Sequence, residues 1–161
     1  MTDHPSVLFV CTGNLCRSPM AEALFRNLLQ QNLPDEAQWW KVESAGTWTE
    51  DGQPVSSGAQ YAIAQLFDLN LNSHISRQIS AELMNDFNLI LVMEHGHKEA
   101  LQIEFPRRAD RVFLLSEMVG ARYKIEDPYG GETAGYLTTA LQIENLLEQG
   151  WKNIVALAQI S

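Results

Sequence analysis

The sequence is poor in cysteine: Cys11 and Cys16 are the only two among 161 residues. Two cysteines cannot supply the disulfide framework of a small secreted scaffold, and their spacing lacks the second ligand pair of a zinc site. The "HGH" of His95 to His97 could be offered as that second pair, but a solvated turn or a helix start explains it better. The cysteines therefore leave a reactive thiol as the working hypothesis.

Basic residues are also scarce, since 11 Lys and Arg oppose 20 Asp and Glu and the net charge is −9. This balance disfavours a nucleic-acid partner, because binding a phosphate backbone needs a basic face. A small anion could still bind at one local positive site. The sequence also lacks an apolar run of about 18 residues and the pattern of a signal peptide. We therefore expect a cytoplasmic protein with no membrane partner.

Residues 1–161 contain no repeat or long linker and are expected to form a single domain. Apolar runs predict four strands, at residues 7–10, 40–44, 88–93 and 111–115. One helical pattern begins near Pro19, and two others cover residues 55–67 and 94–103. Gly150 ends or weakens a fourth and last helix. This alternation predicts an α/β fold, a three-layer αβα arrangement around a central four-stranded parallel sheet, Rossmann-like or flavodoxin-like.

A short loop between the first strand and the first helix carries unusual chemistry. Cys11 and Arg17 are separated by five residues in "CTGNLCRS", at the sheet edge where ligands of parallel sheets bind. A loop that runs into a helix start points several backbone N–H groups at one spot, which suits a tetrahedral anion. Gly13 and Asn14 both tolerate positive φ. The predicted phosphate-binding loop consists of Thr12, Gly13, Asn14, Leu15, Cys16, Arg17 and Ser18.

These residue types together indicate covalent phosphoryl transfer. A thiolate of Cys11 could attack phosphorus, while the forked Arg17 guanidinium holds two phosphoryl oxygens. The Ser18 hydroxyl could donate to the sulfur when it leaves in the second step. No cofactor or metal is expected, since Arg17 and the loop amides supply the positive charge. The nucleotide motifs G-x-x-x-x-G-K-[ST] and G-x-G-x-x-G are both missing from the loop.

The stretch "VLFVCTGNLCRSPMAEALF" resembles the signature of the low-molecular-weight protein tyrosine phosphatases. The resemblance continues in "ESAGTW", "HISRQI", "LILVMEHGH" and "DPYGG", and so covers nearly the whole chain. Gly130 and the "MEHGHK" stretch are more similar to bacterial members than to animal ones, which carry a second tyrosine at the position of Gly130. The resemblance implies a metal-independent phosphatase with a cysteinyl-phosphate intermediate.

Several further roles come from this resemblance alone. An Asp-Pro pair is usually a turn, but the matching aspartate of the family, here Asp127, is the general acid and then the base. Asn14, Ser44 and His74 match polar residues that hold the loop in shape. Cys16 matches a cysteine that can form a reversible disulfide with the nucleophile and protect it from overoxidation.

The expected substrate depends on the wall of the pocket, where Leu15, Trp48 and Tyr129 match the family positions. Trp48 and Tyr129 could sandwich an aromatic ring, and Leu15 offers an apolar contact, so phosphotyrosine is favoured. A related branch of the family hydrolyses phosphoarginine on proteins and shares "DPYGG"-like and "MEHGHK"-like stretches. That branch carries threonine at the position of Leu15. A protein-arginine phosphatase is therefore the alternative.

Two other functions fit the loop less well. Arsenate reduction needs further cysteines, and none follows Cys16. A phosphotyrosine-binding module without catalysis would not need Cys11, Arg17 and Asp127 together. The expected partner is a phosphotyrosine protein, and the bacterial resemblance suggests a tyrosine autokinase of polysaccharide export. Phosphate, vanadate and arsenate are expected to compete for the loop.

Overall fold

Four parallel strands form the centre of the computed structural model, which describes residues 4–160. They are β1 (Ser6–Cys11), β2 (Lys41–Gly46), β3 (Leu89–Val92) and β4 (Val112–Leu114), and their order across the sheet is β2-β1-β3-β4. The central strand β1 places Val7 opposite both Val42 and Leu89. The four-stranded parallel sheet predicted from the apolar runs is confirmed.

Six α-helices cover the sheet. They are α1 (Arg17–Asn32), α2 (Ser57–Phe67), α3 (Ala81–Asn85), α4 (His95–Glu104), α5 (Thr133–Gln149) and α6 (Trp151–Ala158). Three short 3₁₀ helices span Ala37–Trp39, Pro106–Arg111 and Leu115–Val119. Since alternate strand residues point to opposite faces, Phe9 packs in the core with α1 and α5, and Val10 in the core with α3 and α4. The predicted three-layer arrangement is confirmed.

Helix α1 shows why the sequence gives this packing. Leu24, Phe25 and Leu28 are buried on one face, whereas Arg26 and Gln30 are exposed on the other. Residues three and four apart share a helix face, so this spacing produces an apolar stripe. Burying each of the large apolar side chains contributes about 1.5–3 kcal/mol. The stripe therefore fixes the helix against the sheet and orients its first turn.

Some predicted boundaries were wrong. Strand β2 starts after Trp40 and extends to Gly46, because its ladder with β1 continues to the Cys11–Gly46 pair. Strand β4 is shorter than residues 111–115, since 3₁₀ helices flank it on both sides. Helices α3 and α6 were not predicted. None of the described helices is long and apolar enough to cross a membrane.

Candidate active site

The loop after β1 lies at the carboxyl edge of the sheet, next to the end of β2. Two backbone hydrogen bonds tie it to the chain after β2, from Thr47 N to Cys11 O (2.9 Å) and from Trp48 N to Thr12 O (3.0 Å). A Cβ on Gly46 would lie 2.5 Å from Thr12 O, so only glycine permits this close approach. The β1–β2 pairing therefore sets the position of the loop.

The predicted supporting residues meet at Asn14, whose φ of 57° lies in the left-handed region. Its side-chain amide donates to Ser18 Oγ (2.8 Å) and Ser44 Oγ (3.0 Å), and its Oδ1 accepts from Arg77 N (3.0 Å). His74 Nε2 lies 2.7 Å from the Asn14 carbonyl oxygen. These bonds hold a backbone conformation that costs free energy for a residue other than glycine. Sequence reasoning missed Arg77.

A cavity of about 200 Å³ opens above this loop. Its lining consists of Cys11, Thr12, Gly13, Leu15, Cys16, Arg17, Asp127 and Tyr129. At the base, Cys11 Sγ and Ser18 Oγ are 3.0 Å apart. The predicted wall residue Trp48 is 83% exposed and is not among the lining residues, although Leu15 and Tyr129 are. The structure therefore brings the thiol, the arginine and the aspartate to one cavity.

Arg17 is a buried cation with 1% side-chain exposure. Its Nη1 lies 2.9 Å from Glu94 Oε2 and donates to Ile125 O (2.8 Å), while its Nη2 lies 3.5 Å from Asp127 Oδ2. Its Nε has no hydrogen-bond partner among residues 4–160. A buried charge needs such compensation, since desolvation is costly without it. Sequence reasoning missed Glu94, although its place directly after β3 and Met93 was a usable signal.

Asp127 lies at the mouth of the cavity, with 47% side-chain exposure. Its Oδ1 accepts a hydrogen bond from Tyr129 N (3.1 Å), and Gly131 N donates to Pro128 O (3.0 Å) in the same turn. Gly130 has a φ of 78°, which favours glycine. A compact turn therefore presents the carboxyl group beside Arg17 and in contact with solvent.

Both cysteines are free thiols, and Cys16 contacts a hydroxyl group rather than Cys11. Its Sγ lies 3.0 Å from the Oγ of Ser56, the residue that caps α2. Burial raises the pKa of the Cys16 thiol to about 11, against the hydrogen bond with Ser56, which lowers it. Cys16 is therefore protonated near neutral pH.

His97 joins the site from α4, contrary to the interpretation of "HGH" as a solvated segment. It is buried, and its Nε2 lies 2.8 Å from Thr12 Oγ1 and 3.5 Å from Glu94 Oε2. Burial and the nearby Arg17 lower the pKa of His97 to about 4, against the opposing charge of Glu94. The helix start was predicted correctly, but the packing of its third residue was not. His95 is exposed.

The described part of the chain contains no group of three or more His, Cys, Asp or Glu side chains placed to hold a metal ion. A second, larger cavity of about 590 Å³ lies on the far side of the loop, where its lining includes Ser44 and His74. Its charged lining residues already form the ion pairs Glu22–Arg26 and Glu43–Arg77.

Comparison with known proteins gives consistent matches along the chain. A family model described as "Low molecular weight phosphotyrosine protein phosphatase" matches residues 6–158. The chain is 38% identical over 145 residues to a protein-arginine-phosphatase of Bacillus subtilis (strain 168), covering 89% of this chain and 92% of that protein. It is 38% identical over 124 residues to the probable low-molecular-weight protein-tyrosine-phosphatase EpsP of Ralstonia solanacearum, covering 77% and 78%.

A solved structure matches the fold closely. The YwlE arginine phosphatase, in a mutant form with a phosphorylated active-site serine, superposes with a TM-score of 0.85 at 36% identity. The match covers 92% of this chain and 95% of that one.

Proposed function

The chain belongs to the low-molecular-weight phosphotyrosine protein phosphatase family, and from that premise we propose that it hydrolyses phosphoproteins through a covalent phosphocysteine at Cys11. The observation that carries the proposal is which nitrogens of the Arg17 guanidinium have partners in the protein. Glu94 and Ile125 bind its Nη1, whereas its Nε is buried and unpartnered among residues 4–160. The edge formed by Nε and Nη2 can therefore bind two phosphoryl oxygens side by side.

In the first step, the Cys11 sulfur attacks phosphorus and the bond from phosphorus to the leaving oxygen breaks. Asp127 gives its proton to that oxygen, so the leaving group departs neutral. The negative charge on the phosphoryl oxygens is met by Arg17 and by the backbone N–H groups of the loop, residues 12–18. The product of this step is an S-phosphorylated Cys11 and a free hydroxyl compound, which is a phenol when the substrate is phosphotyrosine.

In the second step, water attacks phosphorus and the S–P bond breaks. Asp127, now a carboxylate, takes a proton from that water. The sulfur leaves as a thiolate, which the Ser18 hydroxyl stabilises from 3.0 Å by donating a hydrogen bond. Inorganic phosphate is released and the enzyme returns to its starting state.

The proposed substrate is phosphotyrosine on a protein. Leu15 lines the cavity with an apolar side chain, and the exposed Tyr129 offers a ring beside it. An aromatic substrate gains from contact with both, since stacked rings are worth about 0.5–1.5 kcal/mol beyond their buried area. We expect this chemistry in the cytoplasm, with a bacterial tyrosine kinase as the partner that supplies the phosphotyrosine.

Phosphoarginine is the second candidate substrate, because a matched sequence relative and a matched solved structure are both named arginine phosphatases. Asp127 at the cavity mouth could also face a guanidinium group with favourable charge. Leu15 argues against this choice, since it gives the guanidino nitrogens no hydrogen-bond partner. With phosphoarginine the bond that breaks is P–N, and Asp127 gives its proton to the leaving guanidino nitrogen; the attack of Cys11 and the second step are unchanged.

Turnover of p-nitrophenyl phosphate by the wild type and by Cys11→Ser tests the mechanism. We expect hydrolysis by the wild type that EDTA does not reduce, and a loss of activity of at least about a thousandfold in Cys11→Ser. Rapid quench and mass spectrometry should detect one phosphoryl group on wild-type Cys11. Turnover that survives in Cys11→Ser would refute the mechanism, and phosphate, vanadate and arsenate should each compete.

We also propose that Cys16 protects the nucleophile by forming a disulfide with Cys11 after oxidation. The thiol must first leave its contact with Ser56. Peroxide should then inactivate the wild type reversibly, with recovery in a thiol reductant, whereas Cys16→Ser should lose activity irreversibly. Equal recovery of the two proteins would contradict this role.

A further inference from the structure

Thr12 and His97 form a hydrogen bond that links helix α4 to the loop around the cavity. Thr12 Oγ1 and His97 Nε2 are 2.8 Å apart, although 85 residues separate them in the sequence. Thr12 lines the cavity, and His97 is buried behind it. The mechanism above uses neither side chain.

The surroundings of His97 indicate which of its nitrogens carries the proton. Glu94 Oε2 lies 3.5 Å from Nε2, and a carboxylate can only accept a hydrogen bond. Nε2 therefore favours the N–H form, because a lone pair there would face a negative oxygen. Nδ1 is buried and has no partner among residues 4–160, where an unpaired N–H would be a rare and costly feature. Both observations favour a neutral ring protonated at Nε2.

This tautomer makes the Thr12 hydroxyl oxygen the acceptor of the bond with His97. When Nε2–H donates to Oγ1, the hydroxyl oxygen acts as the acceptor in that bond, and its own proton must point elsewhere. Thr12 lines the cavity directly after Cys11, so the free proton of the hydroxyl can turn toward a phosphoryl group bound in the loop. A donor that is already oriented costs no reorganisation when the charge arrives.

We propose that His97 is a positioning residue that holds the Thr12 hydroxyl as an additional donor to the phosphoryl oxygens in the cavity. This inference rests on the proposed function, because it assumes that a phosphoryl group occupies the loop. It adds a side-chain donor to the backbone N–H groups and Arg17. It also gives the buried histidine of the "MEHGHK" stretch a part in the reaction.

The first experiment reads the tautomer without any turnover. A long-range ¹H–¹⁵N correlation spectrum of the wild type at neutral pH should show His97 protonated at Nε2 and unprotonated at Nδ1. The exposed His95 on the same helix is the internal comparison, and its signals should be an average over the two neutral tautomers. Protonation at Nδ1 alone, or at both nitrogens, would overturn the proposal.

The second experiment is a double-mutant cycle with phosphate binding and kcat/KM as readouts. Thr12→Val removes the hydroxyl group at constant shape, and we expect kcat/KM for an aryl phosphate and the affinity for phosphate each to fall about tenfold. Thr12→Ser keeps the hydroxyl and should lose less than Thr12→Val in both readouts. His97→Leu should lose about as much as Thr12→Val, and the double variant no more than either alone.

His97→Gln can donate from its amide and should recover part of the loss, while His95→Gln is the matched control and should match the wild type. Additive losses in the double variant would refute the coupling, as would a Thr12→Val protein that binds phosphate normally. If His97→Leu does not fold, Thr12→Val and the spectrum still decide. A wild type with the expected tautomer but no turnover would instead refute the proposed function.

Discussion

At the residue scale, the surroundings of Arg17 decide how the site can bind an anion. A guanidinium group with 1% exposure is stable only if charge and hydrogen bonds replace its water. Glu94 and the Ile125 carbonyl provide these on one side, and Asp127 lies 3.5 Å away on the other. The cation is therefore rigid before a substrate arrives, which is what electrostatic stabilisation of a transition state requires.

Asp127→Asn tests the general acid. We expect kcat/KM for phenyl phosphate to fall about a hundredfold or more, since an amide cannot supply the proton, and kcat/KM for an activated nitrophenyl ester to fall much less, because kcat/KM reports the steps up to departure of the leaving group. Steady-state kinetics on both esters measure the difference. Glu126→Gln is the matched control, because this neighbouring carboxyl group is 78% exposed and does not line the cavity. An equal loss on both esters would argue against Asp127 as the acid.

Leu15→Thr tests the substrate preference. Threonine adds a hydroxyl group that can bond a guanidino nitrogen and removes apolar contact with a tyrosine ring. The ratio of kcat/KM for a phosphoarginine peptide to that for a phosphotyrosine peptide should rise at least about tenfold. Both peptides and a phosphoserine peptide should be assayed on the wild type and the variant. An unchanged ratio would show that Leu15 does not determine the preference.

At the element scale, Tyr136 of α5 contacts both α2 and the turn that carries Asp127. A Cβ on Gly58 would lie 2.3 Å from the ring of Tyr136, so the ring sits directly on the α2 backbone. Burial raises the pKa of Tyr136, and the nearby Cys16 thiol raises it further. Hydrogen bonds with Ser56 and with the backbone of Gly130 lower this pKa in part. The hydroxyl group of Tyr136 therefore contacts both the turn that carries Asp127 and Cys16 in the phosphate-binding loop.

Helix α5 also carries two carboxyl groups one turn apart, Glu144 and Glu148. Burial, together with the hydrogen bond and the charge of Glu148, raises the pKa of Glu144 to about 7. Because this pKa is higher in the folded state than in the unfolded one, Glu144 adds stability at low pH that is lost as the pH rises through about 7.

Glu144→Gln should therefore raise the free energy of unfolding at about pH 8 and change it little at about pH 5, since glutamine resembles the protonated acid. Urea unfolding followed by circular dichroism at the two pH values measures this. Glu104→Gln, at an exposed position of α4, is the control and should show no such pH dependence. A gain of equal size at both pH values would contradict the assigned ionisation.

At the scale of the whole molecule, the net charge of −9 works against the binding of an anion. The positive groups of the site are therefore local, and the rest of the protein repels an acidic partner over a distance set by the salt concentration. The electrostatic field of the whole protein therefore acts mainly on the residues of the substrate protein that flank its phosphorylated side chain, rather than on the phosphoryl group itself.

Phosphopeptides with lysine or arginine beside the phosphorylated residue should accordingly be better substrates than peptides with glutamate or aspartate there. We expect kcat/KM to differ several-fold at about 20 mM salt, and the difference to shrink strongly at about 500 mM. Peptides with serine at those positions provide the baseline. A preference that is the same at both salt concentrations would assign it to direct contacts instead of the overall charge.

The amino-acid pattern alone predicts the chemistry of the site, and it predicted the three layers of the fold correctly. The C-x5-R loop between an apolar strand and an amphipathic helix predicts the roles of Cys11 and Arg17, and continuous apolar runs and a period of 3.6 residues specify the strands and helices locally. Through the resemblance to the family it also predicted Asn14, Ser44 and His74 as supports of the loop, and in the structure Ser44 and His74 both contact Asn14. These features depend on neighbours in the chain or on recognisable motifs.

The distant side chains that join the site depend on how the elements pack together. Glu94 meets Arg17 and His97 meets Thr12 because β3 lies beside β1 in a parallel sheet, which brings the segments after both strands to one edge. The exposure of Trp48 is likewise a result of how the loop after β2 leaves the sheet. Burial and distance are properties of the packed molecule, because a local sequence pattern specifies a helix or strand but not the element that packs against it.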